Sequence, residues 1–308
     1  MRSVLLHSFH KASQQAVLLS ENDVQSLRQQ ASQLQSSATP LHAIQSQQAG
    51  WLPTQRPGSG MDYAESRVYQ PGDDPRAINW RLSARSQETF VKIFHQESRP
   101  EICLLLDQRR SMFFGTRSRL KAAQALRVAV VLMYAAVQHQ IPLSSAVIKE
   151  QANWLDPSDV ASLLHTANQP DLATRGAVEA DLAGVISAIP QQVPVGSIVY
   201  ILSDFSDLDD GTSLSALLEN YHVQLVHIMD KAELALPAIG KMRLQSMHQS
   251  SLVMLDSNQK KERDYFADFA RQRADGFKEK VEEAGIAYSR LMTDVDALEH
   301  ELFLPVGL

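Results

Sequence analysis

From Glu101 onward the chain alternates short, unbroken apolar runs with stretches of helical periodicity. Ile102-Cys103-Leu104-Leu105-Leu106 has no polar position, the pattern of a strand buried on both faces. A helix is expected from about Arg117 to His139, and its Ala125–Val137 portion is apolar nearly all round, so it belongs inside the molecule. Pro142 to Lys149 reads as the next strand and Asn153-Trp154-Leu155 as a short edge piece. Helices follow from Pro157, placed in the first turn, to Asn168, and from Ala177 to Ile189, where Pro190 stops the pattern. Ile198-Val199-Tyr200-Ile201-Leu202 is a second buried strand and ends in Ser203-Asp204. Helix Ser213–Asn220 and strand Val223–Met229 come next, and Ser246–Leu255 holds one or two more strands. Gln259 to Ala284 is a long amphipathic helix with Phe266, Phe269, Phe277, Val281 and Ala284 on its apolar stripe, a core face, and with Gly285 where a C-terminal cap belongs. Strands alternating with helices predict an α/β fold: a mostly parallel sheet with helices on both faces.

Residues 1–98 have a different texture, rich in Gln, Ser and Arg, and read as a smaller N-terminal α+β segment ahead of the α/β domain at 99–308. Ser20-Glu21-Asn22-Asp23 has the form of an N-cap with a carboxylate three residues on, and Val24, Leu27, Ala31 and Leu34 continue it at helical spacing. Gln35 to Pro57 is composed like a loop or linker. The bulk numbers narrow the function classes. Lys plus Arg (29) against Asp plus Glu (35) leaves −6, which gives no basic footprint for nucleic acid. Cys103 is the single cysteine, so no intrachain disulfide or cysteine–zinc cluster can form. The first residues lack a signal peptide's apolar core and cleavage site, and the most apolar stretch, Leu126–Val137, is far short of the roughly 20 residues a membrane span needs. The expectation is a cytoplasmic protein without membrane insertion.

Candidate chemistry sits where strands end, because open α/β sheets bind ligands beyond the carboxyl ends of their strands. Asp107 and Asp204 each close a buried apolar strand, and the hydroxyls of Ser111 and Thr174 lie in neighbouring loops. Two carboxylates with hydroxyls form a hard, all-oxygen set of the kind Mg²⁺ accepts. The plainer alternative is that both aspartates cap the element that follows. A second constellation runs from Arg67 to Arg85 and contains Tyr69, Asp73, Asp74, Arg76 and Trp80. Its Pro-Gly-Asp-Asp-Pro is a strong turn signal, and its arginines and aspartates either lock the segment in place or recognise an acidic partner. His222 and His227 have no spaced partners for zinc; neither a phosphate-binding Gly-x-x-x-x-Gly-Lys loop nor a Gly-x-Ser-x-Gly nucleophile elbow occurs.

The run Tyr69-x-Pro-Gly-Asp-Asp-x-Arg76-x-Ile-Asn-Trp80-x-x-x-Ala84-Arg85, followed by Leu-Leu-Leu-Asp107 and Ser111-Met112-Phe113-Phe114-Gly115, resembles domain-of-unknown-function family 58. The resemblance implies a von Willebrand factor A-like (Rossmann-like) fold and a non-catalytic, accessory role beside a MoxR-type AAA+ ATPase, acting on an unknown client protein. It also implies a metal-ion-dependent adhesion site, whose Asp-x-Ser-x-Ser loop is matched by Asp107 and Ser111, with Asp204 and Thr174 from later loops. Arg109 stands where the first serine belongs, which removes a ligand and adds a permanent positive charge. It either takes the cation's place against Asp107 and Asp204 or points outward to an acidic partner. Two rival readings stand beside the adaptor: a Mg²⁺-dependent binding domain, and a hydrolase using Asp107 and Asp204 as paired acid and base.

Overall fold

Every residue of Ile102–Asp107 and Ile198–Ser203 is buried, as strands without a polar face must be. A computed structural model of the chain describes residues 4–6, 18–32, 57–58, 62–70, 75–86, 88–95, 101–116, 118–168, 179–208, 212–246 and 252–296. In chain order its elements are β1 (Val4–Leu6), α1 (Glu21–Ala31), β2 (Pro57–Gly58), β3 (Asp62–Val68), α2 (Trp80–Ser83), β4 (Phe90–His95) and β5 (Ile102–Asp107). Then come α3 (Lys121–Gln138), β6 (Leu143–Ile148), β7 (Ala152–Trp154), α4 (Val160–Asn168), α5 (Leu182–Gln192) and β8 (Ile198–Ser203). The last are α6 (Thr212–Leu218), β9 (His222–Met229), α7 (Lys231–Leu234), β10 (Lys241–Ser246), β11 (Leu252–Asp256), α8 (Lys260–Glu283) and β12 (Ala287–Met292).

The principal sheet has six strands in the order β12-β9-β8-β5-β6-β7, all parallel except the antiparallel edge strand β7. The two-residue period of a strand sends alternate side chains to opposite faces. Ile102, Leu104 and Leu106 accordingly pack with Leu126 and Val130 of α3, Leu163 of α4, and Leu27 and Ala31 of α1. Cys103 and Leu105 pack the other way, with Leu182 and Ile186 of α5, Leu214 and Leu217 of α6, and Val281 of α8. This is the expected mostly parallel sheet with helices against both faces. A second sheet, β1-β10-β11, is antiparallel, and Met242 of β10 joins Phe266 of α8, Phe114 and Leu236 in a smaller apolar cluster. A third, β2-β4-β3, is also antiparallel and carries α2.

Several boundaries move. The helix expected from Arg117 begins at Lys121, and the one expected from Pro157 begins at Val160, after Asp159 accepts the amide of Ser162 at 2.7 Å. Helix α5 starts at Leu182, because the Asp181 carboxylate caps it through the amide of Gly184, and runs through Pro190 to Gln192. A proline removes only its own donor, and the amide of Val193 still bonds to the carbonyl of Ile189 at 2.9 Å. The linker expected at 35–57 lies outside the described residues except for Pro57 in β2. Strand β12 was not expected at all: it is an edge strand whose Ala-Tyr-Ser-Arg-Leu-Met pattern is only half-buried.

Candidate functional site

Strands β5, β8 and β9 are adjacent and parallel, so their carboxyl ends open onto one edge of the sheet. Asp107 ends β5, Ser203 and Asp204 end β8, and Asp230 follows β9. The loop after β5 turns at once through a 3₁₀ segment, Arg110–Phe113, and folds back on α3, with the Lys121 amide bonding to the Phe114 carbonyl at 2.8 Å. Gly115 makes that return possible: a Cβ there would collide with the backbone carbonyl of Arg119.

Arg109 lies inside the site, not on it, with its side chain 4% exposed. Its Nε donates to Asp107 Oδ1 at 3.0 Å and its Nη2 to Asp107 Oδ2 at 2.8 Å, a two-pronged pairing that fits the planar guanidinium. The remaining donors reach Asp207: Nη2 to Oδ1 at 3.0 Å and Nη1 to Oδ2. Nη1 also meets the carbonyl of Ala180 at 3.1 Å. Asp107 receives in addition the Arg109 backbone amide at 2.9 Å and the Ser203 hydroxyl at 2.6 Å. Burial works against the charge of Arg109, but Asp107 and then Asp207 outweigh it and hold the guanidinium protonated.

A second cation fills the rest. Lys121, the first residue of α3 and fully buried, donates from Nζ to Asp204 Oδ2 at 2.7 Å and to Glu233 Oε1 at 2.7 Å. Burial disfavours its ammonium, yet Asp204 and Glu233 together keep it charged beyond the ordinary lysine range. Its two carboxylates fare differently. Burial opposes ionisation of Asp204, but Lys121, then Arg109 and the Ser111 hydroxyl hold its carboxyl well below the usual range. Burial, with Asp204 as a like-charged neighbour, pushes Glu233 up even though Lys121 pulls the other way. One ammonium shared between two carboxylates favours the one with a guanidinium also at hand.

The rim is equally knitted. Asp230 accepts the Thr116 hydroxyl at 2.5 Å, the Thr293 hydroxyl at 2.7 Å and the amide of Ala232 at 2.9 Å, while Glu233 Oε2 accepts the Asp230 amide at 2.8 Å. Arg110 lies across from Glu179, Nε to Oε1 at 3.0 Å. Phe205 takes a left-handed backbone (φ 47), strained for a bulky residue, and its buried ring stacks on Phe277 and meets His227 edge-on. His227 bonds through Nδ1 to the Tyr288 hydroxyl at 2.7 Å, and burial holds its pKa down to about 3.

Of the residues singled out from sequence, Asp107, Arg109, Ser111 and Asp204 meet at this edge, all buried. Arg109 is turned inward, against Asp107 and Asp207; it is Lys121 that faces Asp204. Thr174, Asp73 and Asp74 lie outside the described residues. Tyr69, Arg76, Trp80 and Arg85 belong to the β2-β4-β3 sheet and its attached turns, where the Tyr69 amide bonds to the Thr89 carbonyl at 2.8 Å. Sequence reasoning missed Lys121, Asp207 and Glu233. The donor set does not fit a divalent cation. Both oxygens of Asp107 and Oδ2 of Asp204 already face fixed positive charge, and like charges in a poorly solvated pocket repel by several kcal/mol. Among the described residues no group of three or more His, Cys, Asp or Glu side chains is placed to hold a metal ion.

The family model described as protein of unknown function DUF58 matches residues 65–275, which is well over half the chain. The chain belongs to the DUF58 family. Similar curated proteins include uncharacterised proteins of Mycobacterium bovis and Mycobacterium tuberculosis, 27% identical over 248 residues that cover 79% of this chain and 78% of theirs. A crystal structure of a conserved hypothetical protein BatB from Bacteroides thetaiotaomicron aligns with a TM-score of 0.37 and 15% identity, covering 65% of this DUF58 chain and 94% of the other. No helix among the described residues is long and apolar enough to cross a membrane.

Proposed function

We propose that this chain is a non-catalytic interaction module of the von Willebrand factor A type, working in the cytoplasm as an accessory or adaptor partner of a MoxR-type AAA+ ATPase in the assembly or activation of other proteins. The observation that carries the non-catalytic part is the double internal neutralisation at the sheet edge: Arg109 occupies Asp107 and Asp207, and Lys121 occupies Asp204 and Glu233. Paired acid–base chemistry needs one carboxyl ready to donate and one ready to accept. Asp204 is held ionised and Asp107 is locked in a two-pronged ion pair, which supports the non-catalytic reading over a hydrolase. The same internal pairing supports this reading over a Mg²⁺-dependent one. A rigid, ion-paired edge is instead well suited to present its surrounding loops, with Arg110 and Lys231 exposed on them, to another protein. The choice of ATPase rests on the family resemblance of the Tyr69–Arg85 and Asp107–Gly115 motifs.

The deciding measurement is affinity capture on the tagged full-length chain, with and without ATP, followed by identification of the proteins retained. A AAA+ ATPase retained in a nucleotide-dependent manner is the expected result. Recovery of no such ATPase under either condition overturns the adaptor reading.

A further inference from the structure

We propose that the 203–207 turn, at the end of β8, is a strained latch: the buried ring of Phe205 holds it shut, and release of that ring frees Asp204 and Asp207 from Lys121 and Arg109. Two costs meet in this turn. Among the described residues only Gln140 and Phe205 have a positive φ without being glycine. Gln140 (φ 55) follows the end of α3, where a left-handed residue is the usual way for a helix to stop. Phe205 (φ 47) follows a strand and stops no helix, and the left-handed backbone presses its Cβ towards the following carbonyl oxygen. The neighbouring Ser206 is 3% exposed, and its Oγ has no hydrogen-bond partner in the protein. A strained backbone and an orphaned hydroxyl persist side by side only where the surroundings impose them, and such places cluster at switches and binding sites.

The imposing contacts come from α8, β9 and β12. The Phe205 ring stacks on Phe277 of α8, 5.4 Å between centroids, and meets His227 of β9 edge-on at 5.5 Å. Tyr288 of β12 closes the group against both His227 and Phe277. One helical turn before Phe277, Arg273 Nη2 donates to the Ser206 carbonyl at 3.3 Å, so α8 grips this segment twice. The same residues carry the ion pairs of the edge. The Phe205 amide donates to Ser203 Oγ at 3.1 Å, and that hydroxyl donates to Asp107. The Ser206 amide donates to Asp204 Oδ1 at 3.1 Å while Asp204 Oδ2 faces Lys121; Asp207 accepts from Arg109 and from the Leu182 amide. A change of φ from 47 to the negative values ordinary for phenylalanine redirects the chain on one side of Phe205, so the two carboxylates cannot both keep their cations. Opening also gives Ser206 Oγ access to water, which removes the cost of its burial. Shut, the latch gives the ion-paired edge described above; open, it presents Asp204 and Asp207 to a partner. Its use rests on reading that edge as a docking surface, but its test involves no partner, so the two can fail separately.

Hydrogen exchange of the full-length chain, read by mass spectrometry and corrected for intrinsic rates, tests the latch at the 204–208 amides. Phe205→Ala removes the ring and keeps the strained Cβ, while Phe277→Ala empties the ring's seat without altering the sequence of the turn. Each is expected to speed exchange there by about tenfold or more while β5 and β8 keep the parental protection. Phe205→Gly loses the same ring but tolerates positive φ, so its turn is expected to exchange more slowly than that of Phe205→Ala. Loss of packing alone does not produce that order. Brief acetylation follows Lys121, fully buried in the parent, and its labelling is expected to rise with the exchange. The proposal is overturned by exchange in Phe205→Gly that equals or exceeds that in Phe205→Ala, or by an unmoved turn in Phe277→Ala. Acceleration spread equally through β5 and β8, or Lys121 labelling that stays at the parental level while the turn opens, overturns it as well.

Discussion

Arg109 and Lys121 carry most of the electrostatic design of the sheet edge, and their removal has a calculable direction. Deleting one partner of a buried ion pair leaves the other charge uncompensated, at a cost of about 3–5 kcal/mol. Arg109→Met, which keeps much of the volume and discards the charge, is therefore expected to lower unfolding free energy by about that amount, measured by urea denaturation. A loss under 1 kcal/mol would mean that Asp107 and Asp207 find other partners. Arg109→Ser restores a hydroxyl at the same place and is expected to gain Mg²⁺ affinity in isothermal titration, whereas tight stoichiometric Mg²⁺ binding by the unaltered chain would contradict the internal-cation reading. Arg109 was visible in the sequence, because it breaks a pattern. Lys121 was not, although it left a trace: a lysine in the first turn of a helix opposes the helix dipole and needs a local reason. Its reason comes from Asp204 and Glu233, which lie 83 and 112 residues away along the chain, a separation no local pattern encodes.

Elements announced by their ends were the easiest to read. Ser20 and Asp23 form the reciprocal cap the spacing suggested, and Gly285 closes α8 with a positive φ, its amide on the Glu282 carbonyl and the Ile286 amide on that of Val281. Strands recognised by unbroken apolar runs also held, and β11 lies in the Ser246–Leu255 stretch read as strand, whereas β12 and the β2-β4-β3 sheet did not show, since half-buried strands mix polar and apolar residues. Helix α1 matters beyond its length, since Leu27 and Ala31, from the segment before residue 98, sit in the same cluster as the core of the principal sheet. Ser20→Ala is expected to cost about 1 kcal/mol through the cap, and Leu27→Ala about 2–5 kcal/mol through a cavity under α3. Chemical denaturation of both variants should preserve that order; a larger loss from the cap than from the core would place α1 outside the cooperative unit.

For the molecule as a whole, acid is the revealing perturbation. His227 titrates near 6.5 when unfolded but is held down to about 3 in the fold, so between those values the unfolded chain binds the extra proton. Stability therefore falls as pH drops through this window, by about 1.4 kcal/mol per unit at most. Asp204, depressed in the fold, adds its loss only below its ordinary 3.8, and raised Glu233 acts oppositely, its contribution fading as pH rises above 4.5. His227→Phe should flatten the decline between pH 6.5 and 5 in denaturation series run at each pH; an unchanged slope would assign it to other groups.

A guanidinium seated on Asp107 and Asp207 has one further consequence. A site that borrows its positive charge from solution has loaded and unloaded forms, and the supply of ions sets which one prevails. Here the charge is covalently part of the chain and is made with it at synthesis. On that reading chelators and added magnesium are each expected to leave the melting temperature of the chain unchanged.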